Sequence, residues 1–403
     1  MKTTVVIPSY WGRSSKESFN PQDDLYDHPT PLDEEGTLER ALQSFDILEG
    51  KDFNIVILGV ATHQDFRVPC RERLKKIIGK FKNKYDITLF SYPELEAIKR
   101  ELTDRGLDDL SGLVSLKGYS NVRNACLIAA TLSEAEVAVF FDDDELMKDP
   151  HYIKKALENL GKKQDGEEVL AVAGYYIRPE GETYLIPHPK DWLSATWNGP
   201  SAMNEAFQII GQEPRLKPTT FVFGGNMVLH KRLFEKIAFD PHVPRGEDID
   251  FLINAKMFGH TFFLDNELYI KHLPPEGRTP GWRGFRENIY RFVYTREKLL
   301  AQKPAEGTRP VKIEELDPYP GNFLKSDLQD KIFKASTLMA LNYLSEGGKD
   351  GFRESLENIA IGTFKAKPDF DPFDWYFKYR KRWSKLIGFL SQEPSLKKII
   401  QNA

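Results

Sequence analysis

Residues 137 to 150 read VAVFFDDDELMKDP. The run from Val137 to Phe141 is what a strand buried on both faces requires, and it leads straight into Asp142, Asp143 and Asp144. Three adjacent carboxylates repel, and each is costly to take out of water unless a cation or a donor faces it. One reading is a solvated acidic turn, since aspartate is a common turn residue. The other is a seat for a cation. The triplet alone does not choose between them.

Working outward, apolar strand-like runs alternate with helical periodicity. TTVVIPSY, FNIVILGVA, DITLFSY and VLAVAGYYI read as strands. TLERALQSFDIL reads as a helix with Thr37 as its N-cap, as do RERLKKIIGKFKNKY, NVRNACLIAATLSEA and HYIKKALENLGKK. Alternation of this kind predicts an α/β fold with a largely parallel sheet. Such sheets bind ligands beyond the carboxyl ends of their strands, and the aspartates stand at such an end. After residue 285 the pattern turns helical, through RENIYRFVYTREKLLAQ, LQDKIFKASTLMALNYLS and PFDWYFKYRKRWSKLIGFL. The expected division is 1–285 for an α/β domain and 286–403 for a helical region.

A chain of 403 residues with a formal charge of -4 lacks the basic excess of a general nucleic-acid binder. Two distant cysteines, Cys70 and Cys126, make a disulfide framework unexpected and fit a reducing cytoplasm. No apolar run approaches the roughly 20 residues that span a bilayer. The aromatic and basic segment WYFKYRKRWSKLIGFL, residues 375–390, suits packing on the α/β part or on a second subunit. A peripheral membrane contact through the same segment stays open, as does a homo-oligomer.

Three further groups carry chemistry. In GGNMVLHKRLFEKIAFDPHVPRGEDIDF, Gly224 and Gly225 permit close backbone approach or positive φ, and Glu247 and Asp248 open a helix. Acids there favour the helix dipole, or one of them serves as a general base. His272 follows a strand and would suit an acidic metal site as a further ligand. Arg123 and Asn124 read as the start of the helix before the acidic strand, a place that favours anions.

The order of these blocks, PSY, TLERALQSF, NVRNACL, FFDDD, GGNMVLHKRLF, GED and a late histidine, resembles the GT-A glycosyltransferases of the family-2 type over residues 1–285. The resemblance implies a Rossmann-like mixed sheet with a C-terminal helical extension. It implies a nucleotide-diphosphate sugar donor, UDP- or GDP-linked, and a hydroxyl acceptor that is a small molecule or a glycan. As the family's DXD motif, Asp142 and Asp144 would hold Mg²⁺ or Mn²⁺ with His272. Pro8, Ser9, Arg123, Asn124, Asp142, Asp143, Gly224, Gly225 and Asn226 would bind the nucleotide sugar. Asp248 would be the base of an inverting transfer, with Glu247 orienting it. The loop with Arg278, Arg283 and Arg286 is expected to act as a lid.

Family-2 acids after the second strand are missing here, where the chain reads ILGVATHQD; Asp65 or backbone groups would read the base instead. The late histidine and helical tail also resemble the retaining GT-A enzymes that make mannosylglycerate-type solutes, in which Asp248 would only bind the acceptor. A nucleotidyltransferase is disfavoured because PSYWGRSSKES lacks a glycine-rich basic loop. A non-catalytic carbohydrate-binding protein, stacking sugars on Trp192, Trp197 or Trp282, remains the reading from another class.

Overall fold

A computed structural model describes residues 1–17, 26, 29–181, 183–186, 196–275 and 279–401. Eight strands carry one sheet: β1 (Thr3–Gly12), β2 (Phe53–Ala61), β3 (Asp86–Phe90), β4 (Val137–Phe140), β5 (Ala171–Ile177), β6 (Leu216–Pro218), β7 (Met227–His230) and β8 (Phe262–His272). Their order is β6-β8-β5-β7-β4-β1-β2-β3. Short strands Thr30–Pro31 and Glu145–Leu146 pair with the ends of β1 and β8.

Direction follows from the pairing. β1 is parallel to β2 and β4, β2 to β3, and β5 to β8, whereas β7 is antiparallel to both β4 and β5. The two antiparallel steps cancel, so β4 and β5 point the same way. The carboxyl ends of β1 to β5 and of β8 therefore open on one edge. The fold is the Rossmann-like mixed α/β sheet expected from the sequence.

Both faces of the sheet are covered. Along β1, Val5 and Ile7 enter one apolar core while Val6 enters the other, the two-residue alternation of a pleated strand. Pro8 is tolerated mid-strand for a related reason. Phe141 donates its N–H to Val6 O at 3.2 Å, so Val6, and two residues later Pro8, direct main-chain groups towards β4. The last β1–β4 pair is Val6 with Phe140, so the amide that Pro8 lacks falls beyond the neighbour's end.

The helices used below are α1 (Leu38–Ser44), α2 (Arg67–Gly79), α3 (Tyr92–Asp104), α4 (Tyr119–Leu132), α5 (Glu247–Met257), α6 (Gly281–Leu300), α7 (Leu328–Ser345), α8 (Lys349–Ala360) and α9 (Pro372–Gln392). α3 was not expected from the sequence, although its start is marked. Ser91 and Glu94 form a capping box, with Ser91 N–H donating to Glu94 Oε2 at 2.8 Å. Thr220 to Phe223 form an irregular approach to a turn at Gly224 and Gly225, and pairing resumes only at Met227.

The expected boundary after residue 285 falls inside α6. The C-terminal helices share the core of the sheet's α4 side. Trp383 Nε1 donates to Phe234 O at 2.7 Å and Tyr376 donates its hydroxyl to Ala238 O at 2.7 Å. Phe373, Tyr376, Trp383, Leu386 and Leu390 of α9 are all buried. Each such side chain contributes roughly 1.5–3 kcal/mol by leaving water. This is the packing on the α/β part that the composition of the segment suits, with Trp375, Phe377 and Phe389 left only half-buried. Among the described residues no helix is long and apolar enough to cross a membrane.

Candidate active site

The common edge collects sequence-predicted residues from five chain segments. The aspartates follow β4, Ser9 lies near the end of β1, and His272 ends β8. Gly224 and Gly225 precede β7, which starts at this edge, and Glu247 and Asp248 open α5.

Each aspartate has a different partner. Asp142 is gripped by Arg123, with Nη1 at 2.6 Å and Nη2 at 2.9 Å. Asp143 accepts from Ser9 Oγ at 2.6 Å, and from the Thr37 hydroxyl. Burial, then the charge of Asp144, raises the Asp143 carboxyl to about 7 despite those donors. Asp144 faces His272, Oδ2 to Nε2 at 3.3 Å, and the imidazole stacks on Tyr176 with centroids 4.7 Å apart. The repulsion posed by the triplet is thus relieved one carboxylate at a time.

Arg123 joins two motifs that are far apart in sequence. Its Nε donates to Glu247 Oε1 at 3.2 Å while its other nitrogens hold Asp142. A buried guanidinium would be costly alone. Burial pulls its pKa down, and Asp142 and Glu247 more than reverse that. The double glycine makes the arrangement sterically feasible: a Cβ on Gly224 would collide with the Arg123 guanidinium, and one on Gly225 with the Glu145 carboxylate. Neither glycine has positive φ, so close approach, not backbone freedom, explains them.

Asp248 lines a cavity of about 250 Å³ beside Arg123, Arg245 and Arg291. Its Oδ2 accepts from Gly224 N at 3.0 Å and its Oδ1 from Ile249 N at 2.7 Å. Burial, followed by the neighbouring Glu247, raises its carboxyl to about 7. A carboxylate tuned to this range is both a competent base near neutrality and easily reprotonated.

The candidate cation ligands are only partly assembled. Among the described residues no three His, Cys, Asp or Glu side chains gather as a metal cluster. Asp142, expected as a ligand, has both oxygens committed to Arg123. Asp144 and His272 form an oxygen–nitrogen pair at the open edge. That pair fits Mg²⁺ or Mn²⁺, which commonly take one or two protein ligands and complete their shells with water and phosphate oxygens.

Several expected nucleotide-sugar contacts are corrected by burial. Asn124 is 0 % exposed and lies in the second turn of α4, not at its start. Its amide pairs with both backbone groups of Phe239 at 2.8 Å and with the Tyr379 hydroxyl, tying α4 to α9. Asn226 is equally buried. Its Nδ2 donates to Tyr175 O at 2.9 Å and to Leu268 O at 3.4 Å, carbonyls beside the register shift between β5 and β8. Its Oδ1 accepts from Tyr152. Pro8 is inside the sheet, and Ser9 is buried with its hydroxyl between Trp11 Nε1 and Asp143. These residues shape the edge from behind. Gly224 and Gly225 are buried too, and give their N–H groups to Asp248 and the Tyr176 hydroxyl.

Two of the three arginines expected in a lid are corrected as well. Arg283 and Arg286 belong to α6, with Arg286 bonded to Asn358 Oδ1 at 2.7 Å and to Glu354 of α8. Trp197 is buried among Phe285, Phe292 and Phe323, so its ring is not free to stack on a sugar. Asp65 is exposed beside His63, at 3.2 Å. Arg278 and Trp192 lie outside the described residues.

Sequence reasoning missed Glu145, Tyr176 and Arg291. Glu145 is fully buried, accepts from Asp142 N at 2.7 Å and meets the Tyr176 hydroxyl. Burial, then Asp142 and Asp144, pushes its carboxyl well above the usual range. The fourth acid of DDDE was visible, but nothing local distinguished it from a solvated turn residue.

No protein-family model and no curated protein matches the chain. Among solved structures, it is similar to the mannosyltransferase PcManGT from Pyrobaculum calidifontis in complex with GDP-Man and Mn²⁺, at TM-score 0.46 and 12% identity, over 97% of this chain and 86% of that one. A mycobacterial protein aligns at TM-score 0.39 and 14% identity over 72% of each chain. GalNAc-T7 with UDP, GalNAc and Mn²⁺ aligns at TM-score 0.40 and 12% identity, over 78% of this chain and 53% of that one.

Proposed function

We propose that this chain is a nucleotide-sugar-dependent glycosyltransferase with Asp248 as the base of an inverting transfer. The observation that carries the reading is the Arg123 bridge. It locks the aspartate segment and the Glu247–Asp248 pair, one strand-end carboxylate set and one cavity-facing carboxylate, onto the same edge of the sheet. A donor diphosphate lies over Asp144 and His272, and the acceptor occupies the cavity lined by Asp248.

Asp248 takes the acceptor hydroxyl proton as the oxygen bonds to the anomeric carbon of the donor sugar. The bond from that carbon to the diphosphate oxygen breaks, and the nucleoside diphosphate leaves with the electron pair. Gly224 N–H orients the carboxylate through Oδ2, leaving it directed by backbone geometry. Asp144 and His272 would hold Mg²⁺ or Mn²⁺, which when bound supplies Lewis-acid neutralisation of the departing diphosphate.

A thermal-shift panel of UDP, GDP and their sugars, with and without Mn²⁺, tests the reading, because a ligand of the native state raises Tm by mass action. One nucleotide is expected to raise Tm chiefly when Mn²⁺ is present, and Asp144→Asn to remove the metal-dependent part. A panel without any response, or the same response in Asp144→Asn, sinks the reading.

A further inference from the structure

The cavity beside Asp248 holds a cation, Arg291, that makes no direct ion pair among the described residues. Arg123 is spent on Asp142 and Glu247, and Arg245 reaches Glu287 at 3.3 Å. Arg291 has no ion-pair partner among the described residues. It donates to the Tyr319 hydroxyl and lies over the Phe292 ring at 4.3 Å, and its buried Nε meets no acceptor. A guanidinium cannot discard its charge, and a buried donor without an acceptor costs free energy.

The backbone is arranged to keep Arg291 in this place. Gly246, at φ +70°, caps α5, and a Cβ there would collide with the Arg291 guanidinium. Phe207, Phe221, Phe223 and Ile249 supply apolar wall, and of the two carboxylates lining the cavity Glu247 is paired with Arg123 while Asp248 stands beyond ion-pair distance of Arg291. The field of Arg291 acts on Asp248, whose carboxyl nevertheless stays raised to about 7.

We propose that the cavity takes a small hydroxyl compound bearing a carboxylate or phosphate, seated on Arg291 with its hydroxyl towards Asp248. The planar fork of arginine matches both anions with two parallel hydrogen bonds. A volume of about 250 Å³ lies below the ~300–1,000 Å³ usual for small-molecule pockets, which suits a compact acceptor and not an enclosed oligosaccharide. The role of acceptor rests on the transferase reading; the anion seat does not.

Calorimetric titration of the full chain tests this. Glycerol, glycerate and glycerol phosphate form one set of probes, and glucose, gluconate and glucose 6-phosphate a second. Each is titrated with Mn²⁺ and saturating UDP or GDP, so that the diphosphate place is filled. In at least one set an anionic probe is expected to bind at least tenfold more tightly than its neutral parent. Arg291→Met should remove that gain and Arg291→Lys retain part of it, with Arg291→Gln used if the Met variant does not fold. The carboxylate and phosphate arms identify the group preferred. Anions binding no better than their parents in both sets, or a gain that survives loss of the Arg291 charge, overturns the proposal. Nucleotide binding without an anion gain defeats the anion seat alone. An anion gain without UDP or GDP binding defeats the transferase reading alone.

Discussion

Replacing Asp248 by asparagine should stabilise the protein while sharply slowing transfer. The carboxyl is raised from 3.8 to about 7, first by burial and then by Glu247. Each pKa unit is worth about 1.4 kcal/mol, so the ionised group costs at most roughly 4 kcal/mol of folding free energy. Two effects reduce this. Asp248 is only partly buried, so water screens its charge. Asparagine also has one carbonyl oxygen where the carboxylate accepts from both Gly224 and Ile249, and a lost hydrogen bond costs about 1 kcal/mol. A net gain of about 1–2 kcal/mol remains.

The pH dependence follows from the raised folded pKa. Below the unfolded pKa of about 3.9 both states hold the proton and the wild type loses nothing. As pH rises towards about 7 the unfolded chain releases its proton more readily, and wild-type stability falls. The advantage of Asp248→Asn should therefore grow between about pH 4 and pH 7 and level off above that. Urea unfolding at each pH measures it, provided a single cooperative transition is observed. An advantage that does not change with pH, or a variant less stable at pH 8, refutes the reasoning. In the same variant transfer should drop by about 10²–10⁴-fold, the usual contribution of a general base.

Two other substitutions probe the supports of the site. Gly225→Ala should drive the Glu145 carboxylate off the Asp142 amide and cost about 1–3 kcal/mol, the range for overpacking; an unchanged urea midpoint and unchanged Mn²⁺-dependent nucleotide binding would contradict this. Lys298, fully buried between Asp240 at 3.1 Å and Asp250 at 2.6 Å, ties α6 to the helix that carries Asp248. Lys298→Met should cost about 3–5 kcal/mol at pH 7 because two buried carboxylates lose their cation; a midpoint within error of wild type would dismiss the role.

The α/β class, the aspartates at a strand's carboxyl end, His272 after a strand and Glu247 and Asp248 at a helix start followed from local pattern. Apolar runs that end in acids, and a helix opened by Glu-Asp, are periodic or positional signals carried by neighbouring residues. Only the tertiary structure decided which side chains face the edge. Asn124 and Asn226 look as available in sequence as Arg123, yet they are drawn inward to satisfy backbone carbonyls left by a helix contact and a register shift. The Arg123 bridge, Glu145 beneath Gly225 and Arg291 against Gly246 join residues from distant segments. Their pairing depends on the direction and order of the strands and on the absence of a Cβ, and neither the acids nor the arginines carry a local mark of it. Sequence determined which chemistry is present; packing determined which of it is exposed to a ligand, because a buried polar group must find its partner inside the fold.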